Sequence, residues 1–340
     1  MKVIISNFPV PDSFVDNVAY TLKKMGFSVV VPKSVVGYSR LQALNVMRSS
    51  LERAFPGHWT ASERWAVAAA KEAGGGDLLL WLTKGLRQEV LEHLRSLGVR
   101  RLVAWWGDAP ANMRGMGLLT GGWDKIFIKD AATVAKFVAV GLPAELLHEA
   151  CNPDWHRRLY TRISNEITIA GNYYGYRQYL AECLLKAGEP LALYGPPIPR
   201  WGNPDLKGAH RGKYIVRDEK SRVFGEALAC LNSTALSEGD SLNCRAFEIA
   251  GACGLQLIED KPAVAHCFEP GREVLTYRSV DEIREHLARA RCEPDWANQV
   301  REAGYRRAHG EHTYEHRLRH ILSSVGLPIS EAQRHRTAKS

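Results

Sequence analysis

Residues 237–248 of this 340-residue chain combine acidic, basic and small side chains at spacings that suit a phosphorylated ligand. Glycine and serine ahead of a predicted helix leave backbone N–H groups free, and a helix N-terminus favours negative charge, which indicates a diphosphate site. Arg245 on the first helical turn could add a bidentate donor. Glu248 follows about one turn later on the same face, where its carboxylate could accept hydrogen bonds from the vicinal hydroxyls of a ribose.

Asp240 precedes Glu248 with seven residues between them. This spacing would let Asp240 meet sugar hydroxyls from the loop while Glu248 meets a ribose from the helix. The same residues also fit an N-capped helix that carries a surface ion pair, and spacing alone does not separate the two interpretations.

Three predicted strands of the second half end in residues that could contact the same ligand. Gly171 would allow close backbone approach to a phosphate, with Arg177 to neutralise it, and Tyr194 and Gly195 could stack on or hydrogen-bond a base. Asn232 ends a third strand. Because ligands of parallel sheets bind beyond the carboxyl ends of the strands, we expect these residues to converge. Each position is equally compatible with a simple turn.

In the first half, Asp108 follows a predicted strand beside Trp105 and Trp106. A carboxylate near apolar rings could have a raised pKa and act as a base, or it could orient an acceptor hydroxyl. The aromatic rings would suit the faces of a sugar. The alternative is that Asp108 caps a helix that begins before Pro110.

Composition describes a globular protein that attracts anions. The chain is 45% hydrophobic and 24% charged, with a net charge of +8. Such a charge favours nucleotide phosphates, and it also permits peripheral association with an anionic membrane surface. The sequence has no zinc-finger or aromatic-basic RNP motif, so we expect no nucleic-acid partner.

Cysteine, histidine and acidic spacing give no indication of a metal site. The seven cysteines include no C-x-x-C pair, and the twelve histidines have no metal-ligand spacing, which predicts free thiols in a reducing compartment. There is no Asp-x-Asp sequence for a divalent cation. We expect His148 and His156 to be solvated, and we expect the histidines at 309–320 to occupy a helix end and its exposed face.

No apolar run is long enough to span a bilayer and the N-terminus lacks an export signal, so we expect a cytoplasmic protein.

Strand-like and helix-like segments alternate twice along the chain, which predicts two parallel α/β sheets. In the first half the predicted strands are 2–5, 27–31, 77–82, 101–105 and 125–128, and the predicted helices are 16–25, 41–54, 62–73, 87–96 and 131–138. In the second half the strands are 166–170, 190–194, 228–232, 255–258 and 273–276, and the helices are 176–186, 219–224, 244–252 and 280–290. Residues 142–163 are interpreted as a connection, and residues 293–325 as amphipathic helix.

Ordered motifs over about two thirds of the chain resemble the CgeB/YkvP spore-protein type of glycosyltransferase. In chain order they are Trp105-x-x-Asp108-x-Pro110, Asp124-x-Ile-Phe127 with Gly141, Asn152-Pro153 leading to His156, Ile169-Ala-Gly171 with Arg177, Tyr194-Gly195, Leu231-Asn232, Arg245-x-Phe-Glu248-Ile-Ala-Gly-Ala-Cys-Gly254, Glu269-Pro-Gly-Arg-Glu273 and His312-Thr-Tyr-x-His-Arg317.

The resemblance implies a GT-B architecture, in which two Rossmann-like parallel-sheet domains face a central cleft and helices close the C-terminus. It implies an acceptor domain at 1–155, a nucleotide-sugar-binding domain at 156–310, and a C-terminal helix with a basic tail at 311–340. The spacing of Asp240 and Glu248 is similar to the E-x7-E element of retaining GT-B enzymes. The first carboxylate here is Asp, which departs from that pattern.

The expected activity is transfer of a sugar from a nucleotide-sugar donor to a hydroxyl acceptor by a hexosyltransferase-type enzyme, without a metal, with retention of configuration and with no cofactor. The acceptor could be a glycan, a lipid-linked compound or a small molecule. The catalytic candidates are Asp108 and Arg245. The donor-binding candidates are Gly171, Arg177, Tyr194, Gly195, Asn232, Asp240, Arg245 and Glu248. The alternatives are a GT-B-like epimerase or hydrolase of the nucleotide-sugar, and a non-catalytic binding module.

Overall fold

The computed structural model describes residues 1–6, 10–31, 47, 59–82, 85–108 and 121–328. The chain forms two compact units, of which unit 1 comprises residues up to Leu147 and from Leu318 onward, and unit 2 comprises His148–Arg317. Apart from residue 47, the predicted helix 41–54 lies outside the described residues.

Unit 1 is built on a parallel sheet of six strands in the order β2-β1-β3-β4-β5-β6. The strands are short apolar runs, and the middle ones are buried on both faces, as expected for parallel strands covered by helices. The strands are β1 (Lys2–Ile5), β2 (Ser28–Val30), β3 (Leu78–Trp81), β4 (Leu102–Trp106), β5 (Lys125–Ile128) and β6 (Ala144–Leu146).

Three of the four helices described below for unit 1 begin after a residue whose side chain accepts a hydrogen bond from a first-turn N–H. The described helices are α1 (Phe14–Lys24), α2 (Ala61–Ala73), α3 (Gln88–Ser96) and α4 (Ala131–Ala139). The side chains of Ser13, Thr60 and Asp130 accept hydrogen bonds at the starts of α1, α2 and α4. Thr60 and Glu63 form a reciprocal capping box.

Unit 2 is built on a second parallel sheet of five strands, in the order β11-β10-β9-β7-β8. Its strands are β7 (Ile167–Ala170), β8 (Leu191–Tyr194), β9 (Ala229–Asn232), β10 (Gln256–Glu259) and β11 (Leu275–Tyr277). Its helices are α5 (Gly175–Lys186), α6 (Leu206–Ala209), α7 (Arg217–Glu226), α8 (Cys244–Gly251), α9 (Pro262–Cys267), α10 (Val280–Cys292) and α11 (Pro294–Glu311). The last helix, α12 (Tyr314–Ser324), crosses the division between the units.

The predicted α/β class with two parallel sheets is confirmed, and the predicted strands agree with the observed ones within about two residues. The interpretation of 142–163 as connection was wrong at β6, because three residues are too few to show a strand pattern. Helices α6 and α9 were also not predicted, since they span only four and six residues. In the described parts of the chain, no helix has the length and apolar character to cross a membrane.

Candidate functional site

The carboxyl ends of β7, β8 and β9 lie side by side in unit 2, because these strands are neighbours in the sheet. Gly171 follows β7 and its N–H donates to the carbonyl of Tyr194 at the end of β8, at 2.9 Å. Asn232 ends β9. The structure therefore brings together the three strand ends that the sequence placed at one edge.

Two glycines form the backbone surface of this edge. Gly171 and Gly195 have φ angles of +118° and +132°, values that side chains disfavour. A Cβ at residue 195 would lie 2.6 Å from the carbonyl oxygen of Gly171, and a Cβ at residue 171 would overlap Nη1 of Arg245. Glycine is thus required at both positions, because it lets Arg245 and the neighbouring strand end approach the backbone closely.

A buried amide network fixes the start of α8 beside these strand ends. Asn243 caps the helix, since its Oδ1 accepts the N–H of Ala246 at 3.2 Å. Its Nδ2 donates to Oδ1 of Asn232 at 3.0 Å, and Nδ2 of Asn232 donates to Oε1 of Gln256 at 3.2 Å. Nε2 of Gln256 donates to the carbonyl of Ala246 at 3.2 Å, which closes the network. Such a closed network holds the helix N-terminus rigidly against β9 and β10.

Arg245 extends from the first turn of α8 over Gly171. Its Nε and Nη2 donate weakly, at 3.4 Å, to Oδ1 of Asn232 and the carbonyl of Ser233. The side chain is only partly buried, and within the described residues no carboxylate forms an ion pair with it. Arg245 therefore presents a positive charge with spare N–H donors at the carboxyl edge of the sheet.

Arg177 lies behind this edge and is bound to the protein. It is 1% exposed, and its Nε donates to Oγ of Ser233 at 3.1 Å. Nη1 donates to the carbonyl of Asn172 at 2.6 Å, and Nη2 to the carbonyl of Ser233 and to the hydroxyl of Tyr174. Burial, and then the charge of Arg245, lower the pKa of Arg177 to about 10, so the guanidinium stays protonated at neutral pH.

Asp240 and the loop before α8 are held by the start of α9. Oδ1 of Asp240 accepts the N–H of Ala263 at 2.7 Å. Nζ of Lys261 donates to the carbonyls of Gly239 and Glu238 at 3.2 and 3.4 Å. These contacts fix the loop that carries Asp240, and they engage one oxygen of its carboxylate.

Glu248 is 3% exposed and forms an ion pair with Lys220 of α7, with Nζ and Oε1 3.0 Å apart. Nε2 of His156 lies 3.8 Å from the same oxygen. The cap and ion pair of the alternative interpretation are both present, but the ion pair is buried rather than on the surface. Burying an ion pair costs desolvation free energy unless its geometry is well satisfied, so this pair differs in kind from an ion pair at the surface.

The expected solvation of the histidines was wrong in three cases. His148 and His156 are 7% and 0% exposed, and His312 is 7% exposed, whereas His316 and His320 are exposed as predicted. Tertiary packing of residues 148–156 and of the start of α12 buries these rings, and the local sequence pattern does not predict that packing.

Asp108 belongs to unit 1 and is exposed directly after β4. The proposed role of the neighbouring rings was wrong, because Trp105 and Trp106 are 0% and 7% exposed. Trp105 packs edge-on against Phe14, with ring centroids 4.8 Å apart, so the ring belongs to the core and cannot stack on a sugar. Pro110 lies outside the described residues.

Lys220, Asn243 and Gln256 belong to the observed site but were not predicted as its members. Asn243 could have been found as an N-cap residue directly before the predicted helix. Lys220 and Gln256 carry no local signal, because their partners lie 28 and 24 positions away in the chain.

Comparisons with known proteins agree with this architecture. Residues 177–323 match the family described as Glycosyl transferase-like. Sucrose-phosphate synthase from Thermosynechococcus elongatus is similar with a TM-score of 0.66 and 13% identity, over 100% of both chains. The Anabaena protein Alr3699/HepE, solved with UDP-glucose, has a TM-score of 0.64 and 10% identity over 95% of this chain and 100% of its own.

A trehalose 6-phosphate synthase from Burkholderia multivorans has a TM-score of 0.60 and 12% identity, over 95% of this chain and 98% of its own. No curated protein sequence matches the chain. At such low identities the similarity establishes the fold, and the fold is that of the GT-B glycosyltransferases.

Proposed function

We propose that this protein is a glycosyltransferase that moves a sugar from a nucleoside-diphosphate donor to a hydroxyl acceptor. The observation that carries the proposal is the guanidinium of Arg245 over Gly171, beside the capped start of α8. A cation with spare donors, a helix N-terminus and side-chain-free backbone meet at one sheet edge, and all three favour a diphosphate. The family match over residues 177–323 supports the same activity.

In this proposal each donor group has its own residues in unit 2. The diphosphate lies on the N-terminus of α8 and on Arg245. The base lies along Tyr194 and Gly195 at the end of β8. Glu248 accepts the ribose hydroxyls from the helix, and the free oxygen of Asp240 accepts a hydroxyl of the transferred sugar.

Departure of the diphosphate would be stabilised by Arg245 and by the positive end of α8, while the buried charge of Arg177 adds to the field behind them. Asn232 supports this arrangement by binding both Arg245 and the cap residue Asn243. The sequence contains no Asp-x-Asp, so we propose a route in which these basic groups replace a divalent cation. Retention of configuration is proposed from the spacing of Asp240 and Glu248.

Unit 1 is proposed to bind the acceptor, with Asp108 as the carboxylate that orients or deprotonates its hydroxyl. The acceptor would be a glycan, a lipid-linked compound or a small molecule. A hexosyltransferase of the CgeB/YkvP type that works in the cytoplasm, with peripheral attraction to anionic membranes from its net charge of +8, fits the sequence. We propose no nucleic-acid partner.

A thermal-shift screen of the whole chain with UDP, GDP, dTDP and CMP tests the proposal. UDP is the first ligand to test because the Anabaena protein was solved with UDP-glucose. One nucleotide at about 100 times its Kd should raise the free energy of unfolding by about 2.7 kcal/mol. Stabilisation by none of the four would contradict the proposal. Complete turnover of the donor without an acceptor would favour an epimerase or hydrolase.

A further inference from the structure

Glu248 is held through one of its two carboxylate oxygens. Lys220 and His156 both face Oε1, at 3.0 and 3.8 Å. Among the described residues, every side-chain hydrogen bond and ion pair of Glu248 is made by Oε1. The carboxylate is therefore held from one side, while Oε2 is left to accept hydrogen bonds from a ligand.

The residues that face Glu248 lie next to hydrogen bonds made by one buried hydroxyl. Oγ of Ser221 donates to the carbonyl of Trp155 at 2.6 Å and accepts the N–H of Arg157 at 3.1 Å. His156 lies between those two residues, and Lys220 directly precedes Ser221 in α7. These two hydrogen bonds join α7 to the segment 155–157 and help to place both groups that face Oε1.

Nε2 of His156 also faces Glu248. Nδ1 of His156 accepts the N–H of Asn152 at 2.9 Å, so the neutral ring carries its proton on Nε2, the atom that faces Oε1. A Cβ at Gly251 would lie 3.2 Å from Cβ of His156, which shows how closely α8 packs on this segment. The distance between the imidazole and the helix is therefore fixed by backbone packing.

We propose that Lys220 and His156 are positioning residues that orient Glu248 so that Oε2 accepts the 2′- and 3′-hydroxyls of the donor ribose. This rests on the proposed function, and it assigns the selectivity for ribonucleotides over 2′-deoxyribonucleotides to residues outside α8. A buried carboxylate that has lost its cation would turn, and this change would move the acceptor away from the ribose.

The test compares the affinities of UDP and 2′-deoxy-UDP by calorimetric titration of the full chain. We expect wild type to prefer UDP by about tenfold, as for one hydrogen bond to a charged group. Glu248→Gln and Lys220→Met should each bring the ratio close to one, and Lys220→Arg should retain most of it. In the Glu248→Gln background, Lys220→Met should cause no further change in the affinity ratio. Because this double variant has an uncharged side chain at both positions, it also provides the test if Lys220→Met alone fails to fold. His156→Gln, which keeps an N–H donor, should lower the ratio less than Lys220→Met.

The matched control is Lys186→Met, which removes an exposed 2.6 Å ion pair with Glu182 and should leave the ratio unchanged. A wild-type ratio maintained in Lys220→Met would overturn the proposal while UDP binding, and with it the proposed function, stands. A loss of preference for UDP over UMP in Lys220→Met, with the ribose ratio intact, would also overturn it, because Lys220 would then bind the diphosphate directly. Failure of wild type to bind any nucleotide would instead remove the proposed function itself.

Discussion

Arg245 and Arg177 carry the same charge at the same sheet edge, but Arg177 uses more of its N–H groups in hydrogen bonds to the protein than Arg245 does. Arg177 donates hydrogen bonds to Ser233, Asn172 and Tyr174, whereas both side-chain hydrogen bonds of Arg245 are 3.4 Å long. The sequence predicted both as phosphate ligands. The geometry favours Arg245 for direct contact and Arg177 as a buried charge that holds two loops together.

His312 should make the stability of the protein depend on pH. Burial, and then the charge of Arg317, lower the pKa of His312 from 6.5 to about 4. Between these values the unfolded chain binds a proton that the folded chain excludes, so this contribution is complete above about pH 6.5 and is lost as the pH falls toward 4. The full loss amounts to about 3 kcal/mol.

His312→Gln should flatten the decline in the urea midpoint between pH 6.5 and 4, since the amide can still donate to the carbonyl of Cys267 and accept from Arg317. His266→Gln, at an exposed position on α9, is the control and should keep the wild-type slope. A slope unchanged by His312→Gln would show that other groups cause the pH dependence.

At the scale of elements, the site depends on how close α8 and β7 come to each other. Gly171→Ala places a methyl group against the guanidinium of Arg245 and also strains a residue with φ of +118°. We expect the affinity for UDP to fall about tenfold or more, together with a loss of stability of about 1 kcal/mol. Calorimetric titration and urea unfolding measure the two effects separately.

Gly188→Ala is the matched control for backbone strain. Gly188 also has a positive φ, +81°, but a Cβ there would meet no atom within 4 Å. This variant should lose a similar amount of stability and keep its affinity for UDP. Equal losses of affinity in the two variants would mean that strain, rather than displacement of Arg245, controls binding.

The sequence predicted the positions of strands and helices better than it predicted which side chains contact each other. Apolar strands ending at Gly171, Gly195 and Asn232 could be placed because parallel strands impose a common edge. The pairing of Glu248 with Lys220 could not, since it depends on the packing of α7 against α8, and the burial of Trp105 depends on the arrangement of the whole of unit 1. Local pattern encodes the position of an element, while the partner of a side chain is set by tertiary packing.

For the whole molecule, the two units differ in how strongly the proposed roles are supported. The family match covers residues 177–323, which falls mainly in unit 2, where the strand ends, the capped helix and the two arginines converge. The acceptor role of unit 1 rests on the resemblance of its motifs and on the exposed carboxylate of Asp108. Donor binding by unit 2 is therefore the central claim.

The most direct test of that claim is calorimetric titration of UDP into full-length Arg245→Ala and Asp108→Asn. Arg245→Ala removes a charge-assisted donor and should weaken binding by about 10-fold to 100-fold, whereas Asp108→Asn in unit 1 should bind UDP as wild type does. Unchanged affinity in Arg245→Ala, or an equal loss in Asp108→Asn, would contradict the assignment of the donor to unit 2.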